Sequence, residues 1–253
     1  MRIRKWIYLP VMSLMVACAG TANRTADQNS ATRKAAQVNT SLGREYMSRG
    51  QNEIALEKLK KAAAADPEYA PAHTMLAVLY ERLGEPGLAE KHYKLALKAA
   101  PTNGDVNNNY GVFLCKSGRV DTAESYFMQA VKDPFYRTPA VAYANAGSCH
   151  LQQGNLDKAE SFLRQSLEYD AEFPDALLPM AGLSEKQGAY LRARAFLQRY
   201  EATGNESAAS LAMGVRIESR LGNEATADAY RKRLLENFPG TPQANEVMGQ
   251  LNS

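Results

Sequence analysis

Three cysteines and three histidines are the side chains in this chain best equipped for chemistry beyond packing. A thiol can be acylated, joined to a second thiol or bound to a metal, and an imidazole can ligate a metal or move a proton. The cysteines are Cys18, Cys115 and Cys149. The histidines are His73, His92 and His150, and no two of them share metal-ligand spacing or a helical His-Glu motif of the zinc-protease kind. The sequence contains no glycine-rich phosphate loop and no nucleophile elbow. It therefore predicts no catalytic residue, no metal and no cofactor, and its cysteines carry the interest.

Cys18 closes a segment that reads as an export signal. Arg2, Arg4 and Lys5 form its basic start, and Trp6 to Val16 its apolar part, interrupted by Pro10 and Ser13. That stretch is shorter than the roughly 20 apolar residues a membrane span needs. It ends Leu14-Met15-Val16-Ala17-Cys18, which resembles the bacterial lipobox, in which a small residue precedes the cysteine that is lipidated and becomes the new first residue. Ala19, in place of the Asp that commonly retains such proteins at the inner membrane, implies the outer membrane by the same resemblance. Residues 1–17 are thus expected to be a signal peptide. Residues 18–35, polar and alanine-rich without a periodic face, are expected to be a lipidated tether spanning on the order of 25 Å.

With Cys18 acylated, Cys115 and Cys149 remain as an even pair. They are either bridged or two buried thiols acting as small hydrophobes; an oxidising compartment favours the bridge.

What positions these residues is a repeat. Gly50, Gly84, Gly118, Gly154, Gly188 and Gly222 are spaced by 34, 34, 36, 34 and 34 residues. Five residues after each comes an alanine: Ala55, Ala89, Ala123, Ala159, Ala193 and Ala227. Seven before each lies a small residue (Gly43, Ala77, Gly111, Gly147, Ala181), with Val215 the exception, and nine after comes a large one (Leu59, Tyr93, Phe127, Leu163, Leu197), with Arg231 the exception. Each period fits two antiparallel helices, the glycine closing the first with a left-handed backbone and the small residues allowing close approach. The pattern resembles the tetratricopeptide repeat. It implies an all-α, right-handed α-solenoid of six repeats at 36–69, 70–103, 104–139, 140–173, 174–207 and 208–241, with residues 242–253 as a capping tail. The third repeat carries two extra residues around Phe135-Tyr136-Arg137.

Charge argues against nucleic acid as a partner. Setting aside Arg2, Arg4 and Lys5, the 30 basic residues fall to 27 and balance the 27 acidic ones. A neutral chain without a basic stripe has little attraction for phosphate backbones.

Solenoids of this kind offer the first helices of their repeats to extended or helical partner segments. The groove positions of resembling proteins fall here on Met47, Thr74, Val78, Asn108, Val112, Val141, Ala144, Leu151 and Leu178. The residues that clamp a terminal carboxylate in one subgroup are replaced by Thr40, Arg44, Met75 and Asp105, so that clamp is absent.

A lipobox followed by six such repeats is similar to the lipoprotein pilotins of type IV pilus systems. The resemblance includes the run Asp105-Val106-Asn107-Asn108-Asn109-Tyr110-Gly111-Val112-Phe113-Leu114-Cys115 and the pair Cys115 and Cys149. It implies a monomeric, non-enzymatic outer-membrane lipoprotein on the periplasmic face. Its partner would be the pilus secretin, whose localisation and multimer assembly it promotes, and with them pilus-driven twitching motility. The alternative is a repeat scaffold of another envelope complex, in outer-membrane protein insertion or cell-wall synthesis.

Overall fold

The computed structural model describes the backbone of residues 19–251 and the side chains of residues 29–249. The expected signal peptide and Cys18 lie outside the described residues. Among the described residues no helix is long and apolar enough to cross a membrane.

The chain is a solenoid of helix-turn-helix repeats and divides into two compact bodies, one ending at Ala99 and one beginning at Ala100. The N-terminal body holds α1 (Ala19–Ser48), α2 (Asn52–Ala65), α3 (Ala70–Arg82) and α4 (Pro86–Ala99). The C-terminal body holds α5 (Gly104–Lys116), α6 (Val120–Val131), α7 (Pro139–Gln152), α8 (Leu156–Tyr169), α9 (Pro174–Lys186), α10 (Tyr190–Ala202), α11 (Ala208–Arg220), α12 (Glu224–Asn237) and α13 (Pro242–Leu251). In each body consecutive helices pair as hairpins, and the first helix of one repeat packs on the first helix of the next.

The framing glycines close the first helices as the spacing predicts. All six have φ between 71° and 78°. After Gly50 the amide of Gln51 donates to the Tyr46 carbonyl at 2.9 Å while Gly50 donates to Met47 at 3.1 Å, the six-to-one and five-to-two pairs that end a helix with a left-handed residue. The six-to-one bond recurs at 2.9 Å from Glu85, Arg119, Asn155, Ala189 and Asn223.

The small residue of each first helix makes room for a large side chain 16 positions later. A Cβ built on Gly43 would lie 2.5 Å from Leu59 Cγ, one on Gly111 2.7 Å from Phe127 Cε1, and one on Gly147 2.7 Å from Leu163 Cγ. Leu59, Phe127 and Leu163 have no exposed surface. The sixth repeat keeps the 16-residue rule one position earlier than expected: Gly214 faces Tyr230, with 2.6 Å to Cδ1. The exceptions at Val215 and Arg231 thus mark a one-residue slide of the contact, not its loss. Val215 is buried beside the true contact, and Arg231, its side chain mostly covered, pairs with Asp228.

The N-terminal segment also differs from expectation. Residues 19–35 are not an irregular tether but the first part of α1. No Gly or Pro interrupts residues 21–42, and alanine recurs through them, so helix propagates outward from the first repeat. Arg33 anchors this extension, its Nε 2.6 Å from Asp66 Oδ2 and its guanidinium 5.1 Å over the Tyr69 ring. At the other end the expected capping tail forms α13, which packs on α11 and α12 with Ala244 and Val247 buried. It covers apolar surface that a seventh repeat would otherwise hide.

Candidate partner-binding surface

The surface of interest is formed by the first helices of successive repeats, and each body presents its own part. In the N-terminal body, Met47 is 5% exposed and its carbonyl accepts from Arg82 Nη1 at 2.6 Å. Thr74 is 4% exposed and its hydroxyl donates to the Ala70 carbonyl at 3.1 Å. Both are structural, contrary to the groove assignment. Val78, one turn beyond Thr74 on α3, is partly exposed.

In the C-terminal body, Val112 on α5 and Val141 on α7 are partly exposed. Asn108 is nearly buried and its Oδ1 accepts from Asn145 Nδ2 at 2.9 Å, an amide pair joining α5 to α7. Ala144 belongs to the core, while Leu151 and Leu178 are half-buried against it. Positions that face a partner in related solenoids are therefore split here between core and surface. A groove rule based on position alone cannot separate them, because a one-residue rotation of a helix moves a side chain by about 100°. It also misses Asn145, which lies one residue past the selected Ala144.

Cys115 and Cys149 are bonded to each other, with Cα atoms 5.8 Å apart. The bond joins the ends of α5 and α7, the same two helices that carry Val112, Asn108 and Val141. It spans the junction where Phe135-Tyr136-Arg137 lengthens the turn. That turn is itself held in place: Asp133 Oδ2 accepts from the Gly104 amide at 2.7 Å, Oδ1 accepts from the Phe135 amide at 2.9 Å, and a Cβ on Gly104 would meet Tyr136 at 2.5 Å.

Behind this surface a ladder of polar contacts ties the second helices of the C-terminal body to the next repeat. Each rung starts six residues after a framing glycine, at Glu124, Glu160 and Arg194. Glu124 accepts from His150 Nε2 at 2.7 Å and from Lys158 at 2.8 Å. Glu160 accepts from Gln187 at 3.1 Å and approaches Arg192 at 3.5 Å. At the third rung the sign reverses, with Arg194 3.6 Å from the buried Glu218, which also accepts from Asn223 at 2.8 Å. Partial burial pushes the Glu124 carboxyl up, but hydrogen bonds from Lys158 and His150 with their charges outweigh it, and the group titrates below its usual range. A hydrogen bond from Arg164, then one from Gln187, holds Glu160 low as well.

His150 has no exposed surface, so Glu124 supplies the partner its ring nitrogen cannot find in water. Glu124→Ala is expected to destabilise the C-terminal body by about 1–3 kcal/mol, because it strands a buried polar group. Urea unfolding followed by circular dichroism would read this as a lower midpoint at unchanged slope.

Among the described residues no group of three or more His, Cys, Asp or Glu side chains converges. The structure does bring together two histidines that their sequence spacing keeps apart. His73 Nδ1 and His92 Nδ1 lie 3.1 Å from one another across the α3–α4 hairpin. The fourth residue of a first helix and the eighth after a framing glycine face each other in such a hairpin, a signal that single-helix ligand spacing does not contain.

Tetratricopeptide-repeat family models match residues 40–104, 104–172 and 150–217. The chain is 32% identical over 209 residues to the type IV pilus assembly protein PilF of Pseudomonas aeruginosa, covering 83% of each. It superposes on the crystal structure of PilW, described as a widely conserved type IV pilus biogenesis factor, with a TM-score of 0.77 and 31% identity over 84% of this chain and 98% of that one. The structure of Pseudomonas aeruginosa PilF is similar to the same degree, with a TM-score of 0.77 and 31% identity over 87% of this chain and 99% of that one.

Proposed function

Because the chain belongs to the tetratricopeptide-repeat family of type IV pilus biogenesis factors that includes PilF and PilW, we propose that it is an outer-membrane lipoprotein that binds the pilus secretin and promotes its localisation and multimer assembly. The observation that carries this reading is its relationship to PilF, which extends over most of both chains. The role is that of a monomeric, non-enzymatic binding scaffold without a catalytic cofactor, acting on protein and not on nucleic acid.

Acylation at Cys18 supplies the address. Each buried methylene contributes about 0.8 kcal/mol and one acyl chain binds only reversibly, so stable anchoring takes more than one chain. The repeats supply recognition. Val78 in the N-terminal body and Val112 and Val141 in the C-terminal body are apolar, partly exposed side chains on first helices, placed to meet apolar residues of a secretin segment. The bonded pair Cys115 and Cys149 and the Asn108–Asn145 contact hold α5 and α7 in fixed register, which lowers the ordering cost of binding.

Val78→Asp and Val112→Asp test this directly. Both positions retain water contact, so the fold should tolerate the carboxylates while an apolar contact with the secretin should not. Recovery of secretin with the purified protein is expected to fall at least tenfold, or about 1.4 kcal/mol. Unchanged recovery with both variants would remove this surface from the proposal.

A further inference from the structure

We infer that His73 and His92 form a two-imidazole site for a late first-row divalent cation, with Cu2+ the preferred ion. The site lies wholly within the N-terminal body, between α3 and α4. The two Nδ1 atoms are 3.1 Å apart, and the rings stack with centroids 5.3 Å apart and planes 25° from parallel. His73 Nε2 lies 3.0 Å from the Pro67 carbonyl. A carbonyl only accepts, so the proton sits on Nε2 and Nδ1 carries a bare lone pair. A ring nitrogen fixed by a backbone carbonyl is the arrangement that orients imidazole ligands in metal sites. Tyr80 stacks on the His92 ring at 5.5 Å and 15°, limiting the orientations that ring can take.

Spacing and access fit an ion. At a metal–nitrogen distance of about 2.05 Å, two nitrogens this far apart subtend about 98° at the metal, between a square-planar and a tetrahedral angle. His73 is 5% exposed, whereas His92 is half-buried, so an ion enters from the His92 side and keeps water in its other positions. In the metal-free pair His92 Nδ1 donates to His73 Nδ1; on binding, that proton moves to His92 Nε2 and both Nδ1 atoms face the ion. No net proton is released. Lys91 and Lys60 lie close enough to the His92 ring to act on it electrostatically. The same two lysines repel a dication, but both are exposed and screened, so they weaken the site without abolishing it. With two nitrogen donors and no thiolate, affinity should follow the order that places Cu2+ above Ni2+ and Zn2+.

The test uses the full-length chain carrying Cys18→Ala, so that no free thiol competes, purified without an affinity tag and stripped with a chelator. CuCl2 is titrated into this protein and into the same protein with His92→Gln, by calorimetry, thermal unfolding and electron paramagnetic resonance. One Cu2+ per chain is expected, with nitrogen couplings from two imidazoles and a raised melting temperature. His92→Gln should weaken binding at least about tenfold and abolish the thermal shift. His73→Gln should do the same, and circular dichroism confirms that either variant remains helical. Absence of saturable binding would overturn the inference. So would equal binding by His92→Gln, or a coupling pattern from one imidazole, which would point to a site elsewhere.

Discussion

Replacing Cys115 and Cys149 together by alanine should lower the stability of the C-terminal body by about 3–4 kcal/mol. The bond closes a loop of 34 residues, and releasing that loop returns entropy to the unfolded chain that the bonded form never had. Folded-state losses should be small by comparison. Alanine fills much of the volume of either thiol, and α5 and α7 keep their packing and the Asn108–Asn145 contact. Urea unfolding of the double variant, and of the native chain with and without reductant, should therefore give two values. The reduced native chain and the double variant should coincide, and the oxidised chain should stand above both. A difference below about 1 kcal/mol would mean that the unfolded ensemble is already compact around this junction.

Phe127→Ala should be comparably damaging, at about 3–5 kcal/mol. The ring has no exposed surface and occupies the space that Gly111 leaves by having no Cβ. The geometry makes a sharper prediction than a single loss. Gly111→Ala in the native background forces its new methyl against Phe127 Cε1, at 2.7 Å before relaxation, and should be destabilising by about 1–3 kcal/mol. In the Phe127→Ala background that methyl enters a cavity and should cost little or stabilise. The two substitutions should thus be strongly non-additive in a double-variant cycle. Additivity would show that the glycine serves some need other than room for the ring.

The repeat was legible in the sequence because a solenoid reuses one backbone geometry. Each framing glycine needs positive φ, and each small residue must face a large one 16 positions on, so both demands recur at the repeat period. Where the contact slides by one residue, as at Gly214 and Tyr230, the rule that fixes distance from the framing glycine fails although the packing is preserved. The outward extension of α1 was hidden for another reason. Its helix depends on the absence of breakers and on Arg33 reaching Asp66, and a polar, alanine-rich run has the composition of a tether until that tertiary contact is seen. The partner surface was the least legible part. Met47 and Thr74 satisfy the positional rule yet are buried, while Val112 and Val141 satisfy it and stay partly exposed. Which outcome applies depends on the local rotation of each helix and on what the neighbouring repeat covers.

The proposed role rests on the secretin, and the secretin is where it should be tested. The gene would be deleted and the secretin followed by membrane fractionation and by gel electrophoresis that preserves heat-resistant multimers, with Cys18→Ala and Val112→Asp chains supplied in complementation. The account predicts monomeric secretin or secretin stranded at the inner membrane, with loss of twitching motility, restored by the native chain. Cys18→Ala should restore assembly less well than the native chain, and Val112→Asp should fail through binding. Normal secretin multimers in the outer membrane of the deletion strain would contradict it, leaving a repeat protein of the pilus biogenesis family whose partner lies elsewhere.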